Sequence, residues 1–141
     1  METYYYNSEQ NDFFNNIMKK KIISDIVKKK NLLQFIFTDG SFCYMYHSQD
    51  CCEIVEIDDI CGDLSDLCNT PILTAEMVTS NSNPKDEWDE SYTWTFYKFA
   101  TIKGYVDIKW YGTSNGYYSE GVDIVYFEDE KDFRENNWFN F

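Results

Sequence analysis

The chain lacks most of the features that mark membrane, secreted and phosphate-binding proteins. Its 141 residues contain no apolar run near the ~20 that a membrane-spanning helix requires. With only 2 proline and 6 glycine residues it is not a low-complexity chain. Its 5 cysteines are an odd number and include no Cys-x-x-Cys pair, so neither a disulfide framework nor a known zinc pattern is written in their spacing. Met1-Glu2-Thr3-Tyr4-Tyr5-Tyr6 is acidic and aromatic and shows no apolar stretch of a secretory signal. The expectation is a cytoplasmic protein with reduced thiols. Basic charge is also scarce. Residues 39–90 hold one lysine against thirteen acids, a balance of −12 within a total of −13. Residues 1–30 carry +2 and residues 91–141 carry −3. Such a middle segment repels phosphate, which disfavours direct binding to DNA, RNA or an anionic membrane and suits a basic protein partner.

Rings are abundant instead: 12 Tyr, 11 Phe and 4 Trp, or 19% of the chain, which favours half-buried pleated surfaces. In residues 1–18, Phe13, Phe14, Ile17 and Met18 recur at near-helical spacing, as a short amphipathic helix or an arm. Residues 22–27 are rich in β-branched side chains and read as a strand. Residues 32–37 and 42–47 flank Asp39-Gly40, a two-residue hairpin signal. That turn pairs Phe37 with Phe42, Phe35 with Tyr44 and Leu33 with Tyr46. A strand over 52–57 follows. Asp58 then reads as an N-cap for a helix over 59–68 that buries Ile60, Leu64, Leu67 and Cys68. On that helix Asp59, Asp63 and Asp66 form one exposed stripe. Further strands are expected at 72–79, 92–100 and 105–111, with a polar loop over 80–90. Val106, Ile108 and Trp110 alternate with Asp107 and Lys109, as in a half-exposed antiparallel strand. A turn at Asn115-Gly116 leads to a last long strand over 117–127. The tail, 128–141, reads as a short helix or an ordered arm. The expected architecture is one α+β domain over 1–141 with a core at 19–127. It is a twisted, mostly antiparallel sheet with one or two short helices.

Long ordered motifs punctuate this frame. They are His47-Ser48-Gln49-Asp50-Cys51-Cys52-Glu53-Ile54-Val55, Ile60-Cys61-Gly62-Asp63-Leu64-Ser65-Asp66-Leu67 and Pro71-Ile72-Leu73-Thr74-Ala75-Glu76. Tyr92-Thr93-Trp94-Thr95-Phe96-Tyr97-Lys98 and Trp110-Tyr111-Gly112-Thr113-Ser114-Asn115-Gly116-Tyr117-Tyr118-Ser119 follow. In these the chain resembles a family of small proteins from phages, prophages and bacteria whose shared region is known only as a domain of unknown function. The resemblance covers roughly residues 20–125. It implies a phage or mobile-element origin and no known activity. By association, small acidic phage proteins direct attention to inhibition of host defences. Ser48 stands where an acid is expected, which weakens a metal site at the first motif.

His47, Asp50, Cys51, Cys52 and Glu53 bring an imidazole, two thiols and two carboxylates into seven residues. A metal site would need His47 and thiolates on one side, but adjacent Cys51 and Cys52 point to opposite faces of a strand. A Cys–His nucleophile would need an orienting third group and an oxyanion donor, and neither is evident. The favoured reading is a structural polar cluster, with a cysteine in the core and His47 and Asp50 bonded to the turn's backbone. No catalytic residue, metal or cofactor is expected.

The remaining candidates are surfaces. Asp59, Asp63 and Asp66, with Asp86, Glu87, Asp89 and Glu90, form two acidic clusters. Trp88, Tyr117 and Tyr118 supply rings. Carboxylates on adjacent helical turns lie roughly 5–6 Å apart, comparable to phosphate separations, which suggests partial nucleic-acid mimicry toward a basic groove. The expected function is a non-enzymatic binding protein, anti-CRISPR-like, that inhibits a host nucleic-acid-targeting defence complex such as a CRISPR effector. The alternative is a nucleotide or small-ligand sponge, or small enzyme, built on His47 and the 110–119 loop. Its phosphates would need Lys98, Lys103 or Lys109 nearby.

Overall fold

The computed structural model describes residues 2–6 and 9–131. Among them, the strands form two antiparallel sheets rather than the one expected from sequence, with a single α-helix between them. The first sheet has the order β1-β9-β4-β3-β2, from Glu2–Tyr6, Asp123–Phe127, Phe42–Tyr46, Leu32–Phe37 and Ile23–Lys29. The second has the order β5-β8-β7-β6, from Ile54–Cys61, Gly104–Ser114, Ser91–Thr101 and Thr74–Ser80. The mostly antiparallel, α+β character read from the sequence is what the structure shows.

The apolar side chains of the two inner faces make the main core. Leu33, Phe35, Phe37, Cys43, Met45, Ile124 and Tyr126 come from the first sheet, and Met77, Tyr97, Phe99, Val106, Ile108 and Trp110 from the second. The helix α1, Glu9–Asn16, plugs one side of the gap. Phe13 meets Tyr126 of the first sheet at 5.6 Å, and Phe14 meets Phe99 of the second edge-on at 5.5 Å. Two neighbouring residues of one helix thus serve two sheets. A second apolar cluster, with Leu32, Phe42, Tyr44, Tyr46, Val125 and Phe127, is buried on the opposite face of the first sheet.

The β3–β4 hairpin differs from the sequence expectation by one residue. Phe35 pairs with Cys43 and Ile36 with Phe42. Thr38-Asp39-Gly40 is a three-residue loop closed by Phe37 N–H to Ser41 O at 2.9 Å, and Gly40 takes φ +89°. Because side chains alternate with period two, that slip exchanges faces. Small Cys43 and flexible Met45 enter the ring-crowded gap between the sheets, and the bulky Phe42, Tyr44 and Tyr46 go to the other side.

Three further expectations are corrected. No helix spans 59–68, and Asp58 caps none. Strand β5 continues to Cys61, with only a 3-10 turn at Leu64–Leu67 beyond it. A bulge between Ile57 and Asp59 lets Ile57 oppose Trp110 and Ile60 oppose Ile108, so both face the core three residues apart. A bulged strand therefore carries the same spacing as one helical turn. The last strand is β9 alone, not 117–127, and it leaves β8 for the other sheet between β1 and β4. The N-terminal residues supply both an edge strand, β1, and the helix. The expected tail structure falls largely on residues 132–141, outside the described residues.

Two polar side chains of α1 complete the assembly. Asn11 pairs with the Met77 backbone like a neighbouring strand, accepting its N–H at 2.8 Å and donating to its carbonyl at 3.1 Å. Gln10 has no solvent exposure. Its amide donates to Val122 O at 2.7 Å and Tyr5 O at 3.2 Å, and its oxygen accepts from the Tyr97 hydroxyl at 2.6 Å. One amide thereby joins β1, β7 and the approach to β9. Gln10→Ala is expected to lower stability by about 2–3 kcal/mol, because buried partners lose their bonds without water to replace them. Urea unfolding followed by tryptophan fluorescence measures it.

Candidate functional site

The His47–Glu53 segment leaves the end of β4 and wraps around its own last carboxylate. The Glu53 side chain is fully buried. Its Oε2 lies 2.8 Å from His47 Nε2 and accepts Asp50 N–H at 3.1 Å. Its Oε1 accepts Cys51 N–H at 2.8 Å and the Gln49 amide at 3.1 Å. His47 Nδ1 donates to Gly121 O at 2.7 Å, since a carbonyl can only accept. Burial alone would push the Glu53 carboxyl upward. The Cys51 N–H, His47 and the other donors outweigh it and hold the group at about 2. His47, Asp50, Cys51 and Glu53 do gather, as the sequence suggested. The histidine, however, anchors a distant loop rather than its own turn. Cys51 and Cys52 are both exposed and joined to each other, so neither packs in the core and neither is a free thiol. Among the described residues, no three His, Cys, Asp or Glu side chains are grouped to hold a cation.

Through Gly121 the knot fixes the 115–122 loop, which lies across the end of the second sheet. Gly112 is what permits the approach: a Cβ there would stand 2.4 Å from Glu120 O. Glu120 accepts hydrogen bonds from the Thr93 hydroxyl at 2.8 Å and from the Ser114 hydroxyl. A cleft of about 590 Å³ opens beneath the loop, between Thr79, Ser91 and Thr93 on the sheet and Tyr118, Ser119 and Glu120 above. The turn at Asn115-Gly116 therefore does not join two neighbouring strands, since β8 and β9 lie in different sheets.

The acids divide between two places. The stripe of Asp59, Asp63 and Asp66 does not exist. Asp59 sits on β5 opposite Lys109, and Asp63 caps the 3-10 turn through Ser65 N–H at 3.0 Å. Asp66 lies against Gly104 at the β7–β8 turn. Asp86 and Asp89 instead belong to the 81–90 loop, which folds over the outer face of the second sheet. Tyr111 donates its hydroxyl to Asp89 at 2.6 Å and accepts Lys85 N–H at 3.1 Å. Trp94 Nε1–H donates to Asn83 O at 2.9 Å. Lys85 reaches Asp58 and lies 5.6 Å from the Tyr111 ring centre. The result, among the described residues, is a groove of about 390 Å³ lined by Glu56, Asp58, Asp86 and Asp89, four carboxylates against the one ammonium of Lys85. Ile54, at 57% exposure, is on its wall, and Trp88, at 81%, stands between Asp86 and Asp89 in sequence. Tyr117 is equally open at 83%, but belongs to the 115–122 loop with half-buried Tyr118. Glu87 and Glu90 are exposed in the 81–90 loop. Sequence reasoning missed Glu56, Glu120 and Gln10. Only Lys85, as the lone cation of the −12 segment, was a visible clue to where that loop would be tied down.

Residues 15–124 match the family described as Domain of unknown function (DUF7448), and the chain belongs to that family. The match takes in the knot, the 81–90 loop and the whole of the 115–122 loop. No curated protein and no solved structure matches the chain. Among the described residues, no helix is long and apolar enough to cross a membrane.

Two outcomes follow from the knot and its loop. Glu53 ionises near 4.5 in its ordinary state and near 2 when folded. Between those values the unfolded chain binds more protons, so stability rises with pH, is complete above the upper value and is lost toward the lower one. The loss amounts to about 2–3 kcal/mol. Asp39, also lowered to about 2 beside Lys21 and Ser41, adds to the same acid limb. Glu53→Gln is expected to flatten that limb in denaturation curves taken from neutral to acid pH. Gly112→Ala, by forcing the loop off the sheet, is expected to lower stability by about 1–3 kcal/mol. Its amide NMR shifts should move at 115–122 and at His47 while β2 and β3 stay unchanged.

Proposed function

We propose that this protein is a non-catalytic binding protein that presents an acidic, ring-bearing face to a basic groove on a protein partner. The observation that carries the reading is the outer-face groove. Four carboxylates surround it, exposed Ile54 stands on its wall, and the loop that supplies Asp86 and Asp89 carries the exposed Trp88 between them in sequence. Charge of one sign steers a basic partner and sets orientation, and an exposed tryptophan is the side chain most often found at the energetic centre of an interface. The phage setting implied by the sequence resemblance supports a host nucleic-acid-targeting defence complex, such as a CRISPR effector, as the target. The phosphate-binding surface of such a complex is the kind of groove these carboxylates complement. Mimicry now rests on Glu56, Asp58, Asp86 and Asp89. Asp59, Asp63 and Asp66 line no part of that groove.

Affinity capture from host lysate at low and at moderate salt tests the reading. A basic, nucleic-acid-binding partner should be retained at low salt and released as salt rises. Trp88→Ala should weaken retention by about thirtyfold, near 2 kcal/mol. Joint Asp86→Lys and Asp89→Lys should slow association and reduce the salt dependence. Recovery of no basic partner at either salt concentration would end the proposal.

A further inference from the structure

We infer that the cleft beneath the 115–122 loop is a binding site for a neutral hydroxylated ligand, a mono- or disaccharide. It lies at the inner face of the second sheet, whereas the acidic groove lies on the outer face, so it does not depend on the docking reading.

The inner face of this sheet changes character along its strands. From the β7–β8 turn outward, the cross-strand pairs are Phe99 with Val106, Tyr97 with Ile108, Thr95 with Trp110, Thr93 with Gly112 and Ser91 with Ser114. On β6 the same direction runs from Ala75 through Met77 to Thr79. Apolar packing thus gives way to hydroxyls and a glycine on a face whose other half is core. Hydroxyls on an inner face are stable only with hydrogen-bonding partners. Thr93 and Ser114 find theirs in Glu120, which arrives only because Gly112 lacks a side chain. The remaining polar groups, including Thr79, Asn81, Ser91 and Ser119, line an open volume of about 590 Å³. That lies within the range of small-molecule sites.

The lining selects the ligand class. Among the described residues Glu120 is the one charged side chain in it, and no Lys, Arg or His takes part. Lys98 and Lys109 pair across strands with Asp107 and Phe96 on the outer face, and Lys103 donates to Cys68 O at 2.8 Å near the β7–β8 turn. Among the described residues a phosphate in the cleft would meet a carboxylate and no cation, so a neutral ligand suits it better than the nucleotide of the alternative sequence reading. Neutral hydroxyls suit it. Each is donor and acceptor at once, as are Ser and Thr, and adjacent hydroxyls can share a carboxylate or an amide. The Tyr118 ring and the Met77 side chain add the apolar surface that the C–H face of a sugar requires.

The test is titration of the full chain with glucose, N-acetylglucosamine and maltose, read by amide NMR shifts, with ATP and inorganic phosphate in parallel. Saturable shifts at Thr93, Ser114 and 116–121 with at least one sugar are expected, and none there with ATP or phosphate. Tyr118→Ala and Thr79→Ala, both outside the main core and outside the 81–90 loop, should each weaken that binding about tenfold or more. Absence of saturation with every sugar overturns the inference. So does sugar binding that both substitutions leave intact, and so does tighter binding of ATP or phosphate. Partner capture through the acidic groove should survive both substitutions, which separates failure of this site from failure of the docking face.

Discussion

A carboxylate without access to water must be surrounded by donors, and Glu53 obtains them from the chain that precedes it. Gln49, the backbone of Asp50 and Cys51, and His47 all converge on its two oxygens. That demand fixes the path from β4 to β5, which is where the polypeptide passes from one sheet to the other. Because His47 also holds Gly121, the same charge determines where the 115–122 segment lies and hence the return path from β8 to β9. Both crossings between sheets therefore depend on one buried ion. The chemistry of the block, which resembles a metal site or a nucleophile, serves to connect them.

The two loops that dress the second sheet work by opposite means. The 115–122 loop descends onto a glycine and an inner row of hydroxyls and leaves a polar cleft. The 81–90 loop lies on rings: Tyr92, Trp94 and Tyr111 each use a polar atom to hold its backbone or acids. Aromatic side chains with one wet end are suited to that task, since ring and donor serve two neighbours at once. The high tyrosine content thus has a structural use outside the core. It seats a strongly negative loop on a sheet that would otherwise present half-buried rings to water.

Much of this was legible in the chain itself. Alternation at Val106, Ile108 and Trp110 named an inner face correctly, and the ring content and turn signals gave antiparallel strands. The errors share a cause: local patterns admit two geometries, and long-range packing chooses. Asp39-Gly40 suits both two- and three-residue turns, and the volume available between the sheets selected the longer. Ile57 and Ile60 suit a helix or a bulged strand, and pairing with Trp110 and Ile108 selected the strand. The acidic stripe was lost with the helix that would have carried it. Glu120 and Gln10 had no local signature, because Thr93, Val122 and Tyr97, which they meet, lie far along the chain, and Glu56 is placed only by its register opposite Tyr111. The polar cluster at His47–Glu53 was visible because its members are adjacent, but its tie to Gly121 was not.

Among the described residues β2, β5 and β6 lie at the ends of their sheets, and such edges recruit copies of themselves. The Asn11 side chain occupies the hydrogen-bonding groups of Met77, in the middle of β6, so an incoming strand finds no continuous ladder there. β5 carries a bulge beside Asp58 and Asp59, and β2 ends in Lys28 and Lys29, each of which hinders a flat edge-to-edge approach. A polypeptide this rich in β-forming rings would otherwise be at risk of stacking into fibrils when abundant. A single asparagine on a short helix thus denies that border a template on which further strands could grow.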